Sequence, residues 1–132
     1  MIYALDSNIV SYMLKDDADV VARYRQEIDR GNDFVIPPIV FFEVQRWLLA
    51  QKLIRKLARF DALCQKAKQC EVTKPVWQKA AQLYAMLSQE GMLVDDTDLL
   101  IASFCIINDF TLVTNNIRHF GRIGELKCIN WK

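Results

Sequence analysis

A single histidine, His119, is all the imidazole this chain has, and that scarcity limits its chemistry first. A nucleophile with a histidine base would have to use this one ring, and no serine lies in a GxSxG-type elbow, which leaves serine-hydrolase machinery without parts. Cysteine offers a metal centre little more. Cys64, Cys70, Cys105 and Cys128 are scattered without a CxxC pair, so a zinc site would have to gather distant ligands. Reduced, mostly buried thiols are the expectation. Also missing is any charge-free run of about 18 apolar residues, and Met1-Ile2-Tyr3-Ala4-Leu5-Asp6 carries neither a basic leader nor a small-residue cleavage site. The expected protein is soluble and cytoplasmic, with no membrane partner. Its catalytic candidates are carboxylates.

What is present suits one ordinary core: 132 residues, 52% of them hydrophobic, predict a single domain over 1–132. The net charge of +1 hides an uneven distribution, because Val44 to Cys70 holds seven cations against the single acid Asp61. The apolar run Ile2–Leu5 stops at the helix-entry residues Asp6-Ser7-Asn8, and Ile9, Val10, Met13 and Leu14 follow at helical spacing. Asp16 and Asp17 open a second helix that Gly31 would cap. Phe34-Val35-Ile36 reads as a strand closed by Pro37-Pro38, and from Ile39 the pattern is helical, with room for a break, to about Ala67. Gln69–Val72 is a candidate short strand. Thr73 with Lys74-Pro75 starts a helix that Gly91 ends. Asp95-Asp96-Thr97-Asp98 leads into a helix over Leu99–Ile107, Thr111–Thr114 is a strand, Asn115–Leu126 a turn and short helix, and Lys127–Asn130 a last strand. Strands separated by helices imply right-handed crossovers, hence an α/β fold with a mainly parallel central sheet flanked by helices.

Ligands of such a sheet sit at the carboxyl ends of its strands. Asp6 follows the first strand directly, Glu43 lies little more than a turn into the helix after the Phe34 strand, Asp98 begins the Leu99 helix, and Asn115-Asn116 follow the Leu112-Val113 strand. Carboxylates brought together repel, so either their pKa values rise or a hard cation neutralises them; Mg2+ and Mn2+ favour such oxygen ligands. A cation there supports phosphodiester hydrolysis. Capping a helix would account for Asp6 or Asp98 without catalysis, whereas Glu43, among Val40, Phe41, Phe42 and Val44, needs a partner. Asp95 and Asp96 read as acids complementing a helix dipole, at most outer groups of the site.

Four ordered segments, Leu5-Asp6-Ser7-Asn8-Ile9, Phe42-Glu43, Asp98-Leu99-Leu100-Ile101-Ala102 and Leu112-Val113-Thr114-Asn115-Asn116, then His119-Phe120, Arg122-Ile123 and Asn130-Trp131, together resemble the VapC family of PIN-domain toxins over nearly the whole chain. The resemblance implies a single PIN-like domain and a Mg2+- or Mn2+-dependent endoribonuclease, the toxin of a type II toxin–antitoxin system. It further implies a structured RNA substrate such as tRNA or rRNA, a small VapB-like antitoxin, DNA contacted only through that antitoxin, and a homodimer. By position, Asp6, Glu43 and Asp98 match the acidic triad that is catalytic and holds the metal, and Ser7 and Asn8 match a hydroxyl and an amide that orient ligands and water. Ser7 replaces a frequent threonine. Asn116 stands where many PIN domains have a fourth acid, which favours one metal ion over two, with the amide left in a supporting part.

Lys52, Arg55, Lys56 and Arg59 form one stripe if helical, and an RNA backbone could lie along it, giving salt-sensitive affinity; a solvated helix face is an equal reading. Leu48, Leu49, Leu53, Ile54, Leu57, Phe60 and Leu63 read mostly as core, with part of that surface implied by the resemblance to accept the antitoxin. Trp77, Tyr84 and Met86 read as core or dimer interface. His119 reads as a structural or solvent-facing residue with no catalytic part. A phosphatase of the haloacid-dehalogenase type would need an acid where Asn8 stands, and a receiver domain an aspartate where Pro37-Pro38 follow. A DNA nuclease differs only in substrate. A catalytically weak PIN-like module that binds RNA or antitoxin without cutting is the alternative, and metal binding separates it from the enzyme.

Overall fold

The computed structural model describes residues 1–132, and its centre is the first apolar run. Ile2–Leu5 forms β1, which pairs in parallel with β2 (Asp33–Val35) on one side and β3 (Thr111–Val113) on the other. Tyr3 lies opposite both Phe34 and Thr111. The edge strand β4 (Cys128–Ile129) pairs with β3, so the order is β2-β1-β3-β4 and every pairing is parallel. A parallel sheet is covered on both faces, which is why the strands read as continuous apolar runs rather than as alternating patterns. Ala4, Leu5, Leu112 and Val113 are fully buried.

Helices make every crossover. α1 (Ser7–Leu14) and α2 (Ala18–Asp29) join β1 to β2; α3 (Pro38–Ala50), α4 (Ile54–Lys66), α5 (Lys74–Gln89) and α6 (Asp96–Asn108) carry the chain to β3; and the short α7 (Ile117–Phe120) precedes β4. The chain therefore leaves β1 toward one edge and returns beside it as β3. The crevice between the carboxyl ends of these two strands is the point where a doubly wound sheet binds ligands. No helix is long and apolar enough to cross a membrane.

Several boundaries differ from the sequence reading. The helical stretch after Ile39 breaks at Gln51–Leu53, where Lys52 adopts a left-handed φ of +54°. Leu53 N donates to Leu48 O at 3.0 Å and Lys52 N to Leu49 O at 3.1 Å, the paired bonds that end a helix around a left-handed residue. The expected strand at Gln69–Val72 is absent. Only Lys68 bridges to Val35, and the Gln69 amide turns back to donate to the carbonyls of Cys64 and Ala67. α6 starts at Asp96 with Asp95 as its cap, so Asp98 sits inside the first turn rather than ahead of it. Gly31 and Gly91 take the positive φ expected of residues that end α2 and α5. Cys105 is buried, its thiol pushed far up by that burial, the other three cysteines are partly buried, and none is bonded to another.

Sequence reasoning missed a polar cluster on α2. Glu27, 3% exposed, accepts hydrogen bonds from Tyr3 Oη (3.1 Å), Arg23 Nε (3.1 Å), Arg30 Nη1 (3.1 Å) and Asn32 Nδ2 (2.8 Å). Burial alone would raise its carboxyl, but the donors Asn32, Arg23 and Tyr3 outweigh that and hold it below the ordinary range. A depressed folded pKa stabilises above the unfolded value, and that contribution is lost as pH falls through the folded pKa. Glu27→Ala should therefore cost about 2 kcal/mol at neutral pH through the loss of these bonds, the buried Tyr3 hydroxyl being left without its acceptor. In thermal melts its deficit should shrink below about pH 4; a deficit independent of pH would show that the charge is not the cause.

Candidate active site

Asp6 is the residue immediately after β1, and the sheet itself sets its place, because Asp6 N continues the β1–β3 ladder by donating to Val113 O at 2.9 Å. Its side chain caps α1, with Oδ1 accepting from Ser7 N at 2.8 Å. Oδ2 accepts from Thr114 Oγ1 at 2.7 Å and from Asn8 Nδ2 at 3.3 Å. A capping carboxylate and a site carboxylate are thus the same group here. Burial is the main cause raising its carboxyl above the ordinary range; the Thr114 and Ser7 bonds pull it back, and the charge of Asp98 raises it again.

Glu43 projects from the second turn of α3, a helix started by Pro38 at its first position. Its Oε1 is sealed from solvent and has no hydrogen-bond partner. Burial pushes this carboxyl up, the charges of Asp6 and then Asp98 push it further, and Arg46 offsets part of the rise. Asp98, in the first turn of α6, receives His119 Nε2 at 2.9 Å on Oδ2. Three helices therefore aim Asp6, Glu43 and Asp98 at a shared field. As the side chains stand, however, no three acidic, histidine or cysteine groups meet closely enough to grip an ion together, so the expected convergence is electrostatic rather than a closed cage.

The supporting residues divide. Ser7 contributes its backbone N–H to Asp6, and Asn8 ties two segments together: its Nδ2 reaches Asp6, while its Oδ1 accepts from Asn115 N at 3.0 Å. Asn116 is exposed, and its backbone N donates to Thr114 Oγ1 at 3.0 Å. Thr114, fully buried, is the residue that the sequence reading overlooked. Its only sequence signal is a hydroxyl ending an apolar strand, in a position equivalent to Asp6 on the neighbouring strand. His119, which reads from sequence as structural or solvent-facing, lies in α7 and touches Asp98.

Beside Glu43 a cleft of about 390 Å³ opens between α1 and α3, lined in part by Ser7, Asn8, Ser11, Arg46 and Trp47. Arg46 also stacks over Phe42, its guanidinium carbon 4.9 Å from the ring centroid. The basic stripe is not continuous. Lys52 sits in the α3–α4 break, and Arg59, 47% exposed, has its Nη atoms donating to Met13 O, Leu14 O and Asp16. That guanidinium holds the carbonyl end of α1; Arg55 and Lys56 lie further along the surface of α4, Arg55 the more exposed. Of the apolar set on α3 and α4, Leu48 and Phe60 are core, but Leu49 and Ile54 are 55% and 78% exposed. Trp77, Tyr84 and Met86 are exposed on α5, so they are not core.

Comparison with known proteins follows the same lines. The PIN domain family model matches residues 3–126. Ribonuclease VapC2 of Rickettsia felis is 31% identical over 132 residues, covering 99% of this chain and 98% of that protein. Ribonuclease VapC1 of Haemophilus influenzae is 22% identical over 132 residues, with 99% and 98% covered. In three dimensions the chain superposes on the crystal structure of VapBC2 from Rickettsia felis bound to a DNA fragment from their promoter, with TM-score 0.90, 30% identity and full coverage of both chains. It shares the fold of DNA-bound VapBC from Salmonella typhimurium at TM-score 0.86 and 23% identity, with 100% of this chain and 99% of that one covered.

Proposed function

This chain belongs to the VapC family of PIN-domain ribonucleases, the toxins of VapBC toxin–antitoxin systems, and we propose that it is a Mg2+- or Mn2+-dependent endoribonuclease whose ion is held by Asp6, Glu43 and Asp98. One observation carries the ion: Glu43 Oε1 is a buried, partnerless carboxylate oxygen lying in the field of two further carboxylates. Such a group is costly unless a cation compensates it. The donor set is all oxygen and all acid, the chemistry hard divalent ions prefer. When bound, the ion supplies positive charge against the reacting phosphate and lowers the pKa of an attacking water.

The protein's own share is positioning. Ser7 N, Thr114 and Asn8 hold both oxygens of Asp6, so its carboxylate needs little reorganisation to act. Asn8 also locks the loop after β3 to α1, keeping the crevice between β1 and β3 at one width. Arg46, at the mouth of the cleft beside Glu43, supplies a cation for an RNA phosphate, and Trp47, 42% exposed there, offers a face on which a base can stack. Arg55 and Lys56 extend this positive surface along α4.

The Rickettsia felis relative was captured as VapBC2 with a promoter DNA fragment and the Salmonella typhimurium one as DNA-bound VapBC; a VapB-like antitoxin is the partner we assign to this chain, with DNA reached through it and the exposed apolar residues of α3 and α4 as its seat. Trp77 and Tyr84 suit a homodimer contact, the whole 132 residues acting as one PIN unit in the cytoplasm. Purified, antitoxin-free protein should cut structured cellular RNA at defined positions with Mg2+ or Mn2+ and stop when the ion is chelated. Mapped ends that persist under chelation would exclude the ion; a folded protein that binds Mn2+ yet cuts no RNA would make it a binding module.

A further inference from the structure

The only histidine of the chain is held between two charged groups. His119 Nε2 lies 2.9 Å from Asp98 Oδ2, and its other ring nitrogen, Nδ1, lies 2.7 Å from Arg122 Nη2. Arginine has five N–H donors and no acceptor. Nδ1 must therefore accept from Arg122, which leaves Nε2 as the ring nitrogen that carries the hydrogen. A hydrogen on Nε2 that faces a carboxylate oxygen donates to it. The three residues form a chain with one direction, Arg122 to His119 to Asp98.

The geometry around the ring supports a fixed orientation. Arg122 grips the same residue twice, since its Nε donates to His119 O at 3.3 Å. His119 packs edge-on against Phe120, 5.5 Å between ring centroids, and Phe120 is buried in the core. Only about a fifth of either the His119 or the Asp98 side chain is exposed. The contact is a long-range one across 21 residues, linking α6, which carries a site acid, to α7 between β3 and β4.

We propose that Arg122 and His119 are positioning residues for Asp98: Arg122 holds the His119 ring at Nδ1, and the Nε2–H this leaves occupies Asp98 Oδ2 and fixes the rotation of the carboxylate. This rests on the reading of Asp98 as an ion-binding group. Partners of this kind, one bond removed from the ion, change metal affinity about 10–100-fold when lost.

Because there is one histidine, a two-bond 1H–15N correlation spectrum of the metal-free full chain shows a single imidazole. One form with the proton on Nε2 is expected; in Arg122→Ala, where Asp98 still accepts from Nε2, the Nδ1 resonance should shift as it loses its donor. A proton on Nδ1, a doubly protonated ring, a mixture in the unaltered protein, or an unchanged spectrum in Arg122→Ala would each overturn the assignment. Mn2+ binding by calorimetry supplies the second measurement. Arg122→Ala and His119→Ala should each weaken it about tenfold, while His119→Gln, which keeps an N–H in reach of Asp98, should recover most of the loss. In the His119→Gln background Arg122→Ala should cost nothing more; an equal cost there would mean that Arg122 acts on the ion or on the fold directly, and unchanged affinity in all variants would end the positioning role. A locked tautomer in a protein that neither binds Mn2+ nor cuts RNA would sink the ribonuclease reading while leaving the Arg122–His119 link standing. An unlocked ring in a protein that cuts RNA would do the reverse.

Discussion

Asp98→Asn should lower RNA cleavage about a thousandfold while leaving the fold nearly as stable as before. Asparagine has the same shape, and its oxygen can still accept the His119 Nε2–H, so the link between α6 and α7 survives. What disappears is one full negative charge. An ion's electrostatic help to a phosphoryl transition state is worth several kcal/mol, and losing about 4 kcal/mol of it is about a thousandfold in rate. On the stability side, a first-turn acid loses a helix-dipole contribution of about 0.3–1 kcal/mol, and relief of the repulsion that Asp98 exerts on Asp6 and Glu43 works in the opposite direction. Single-turnover cleavage of a mapped RNA beside a thermal melt measures both. Cleavage within tenfold of the unaltered protein would remove Asp98 from the chemistry, and a collapsed melt would make the activity loss uninformative about charge.

Glu43→Gln should separate stability from activity, raising the first and lowering the second at least a hundredfold through loss of about 3 kcal/mol of the same assistance. Glu43 is half-buried, and its Oε1 meets no donor. Burial first, then Asp6 and Asp98, raise its folded pKa above the unfolded value. The sign of the linkage follows: an acid with a raised folded pKa holds its proton longer when folded, so the folded state loses ground as pH climbs from the unfolded pKa to the folded one, and stays lower beyond it. Glutamine removes that loss. The gain should be absent below about pH 4, appear as pH rises past the ordinary glutamate range, and reach on the order of 1 kcal/mol near neutrality after solvent screening of a partly exposed group. Urea titrations across that range test it. A variant less stable than its parent at pH 7 would mean that Glu43 has a cationic partner in the free protein, and the partnerless oxygen would lose its meaning as an ion site.

Much of this was legible in one dimension, for physical reasons that differ from residue to residue. Ile2–Leu5, Phe34-Val35 and Leu112-Val113 read as strands because both faces of a parallel sheet are buried, so every position must be apolar. Asp17 capping α2, Gly31 ending it and Pro38 starting α3 follow from local backbone chemistry that needs no distant partner. Asp6, Glu43 and Asp98 could be singled out because each interrupts or borders an apolar stretch where an acid is expensive. Where local preference was weak, the reading failed. Gln69–Val72 had strand-like residues but forms no strand, the sheet edge being met only by Lys68 just before it, and nothing local to Arg59 shows that the carbonyl end of α1 lies within its reach.

Most elements, their parallel α/β arrangement and the choice of candidate acids could be read along the chain, since these depend on periodicity, capping and the cost of burying charge, all short-range. Which groups serve those acids was settled by folding alone. Thr114 reaches Asp6 across 108 residues, His119 reaches Asp98 across 21, and Glu27 gathers Tyr3 from the central strand. Such pairings are set by where crossovers return the chain beside β1, and no local pattern encodes the meeting of two side chains whose segments are brought together only when the sheet closes between them.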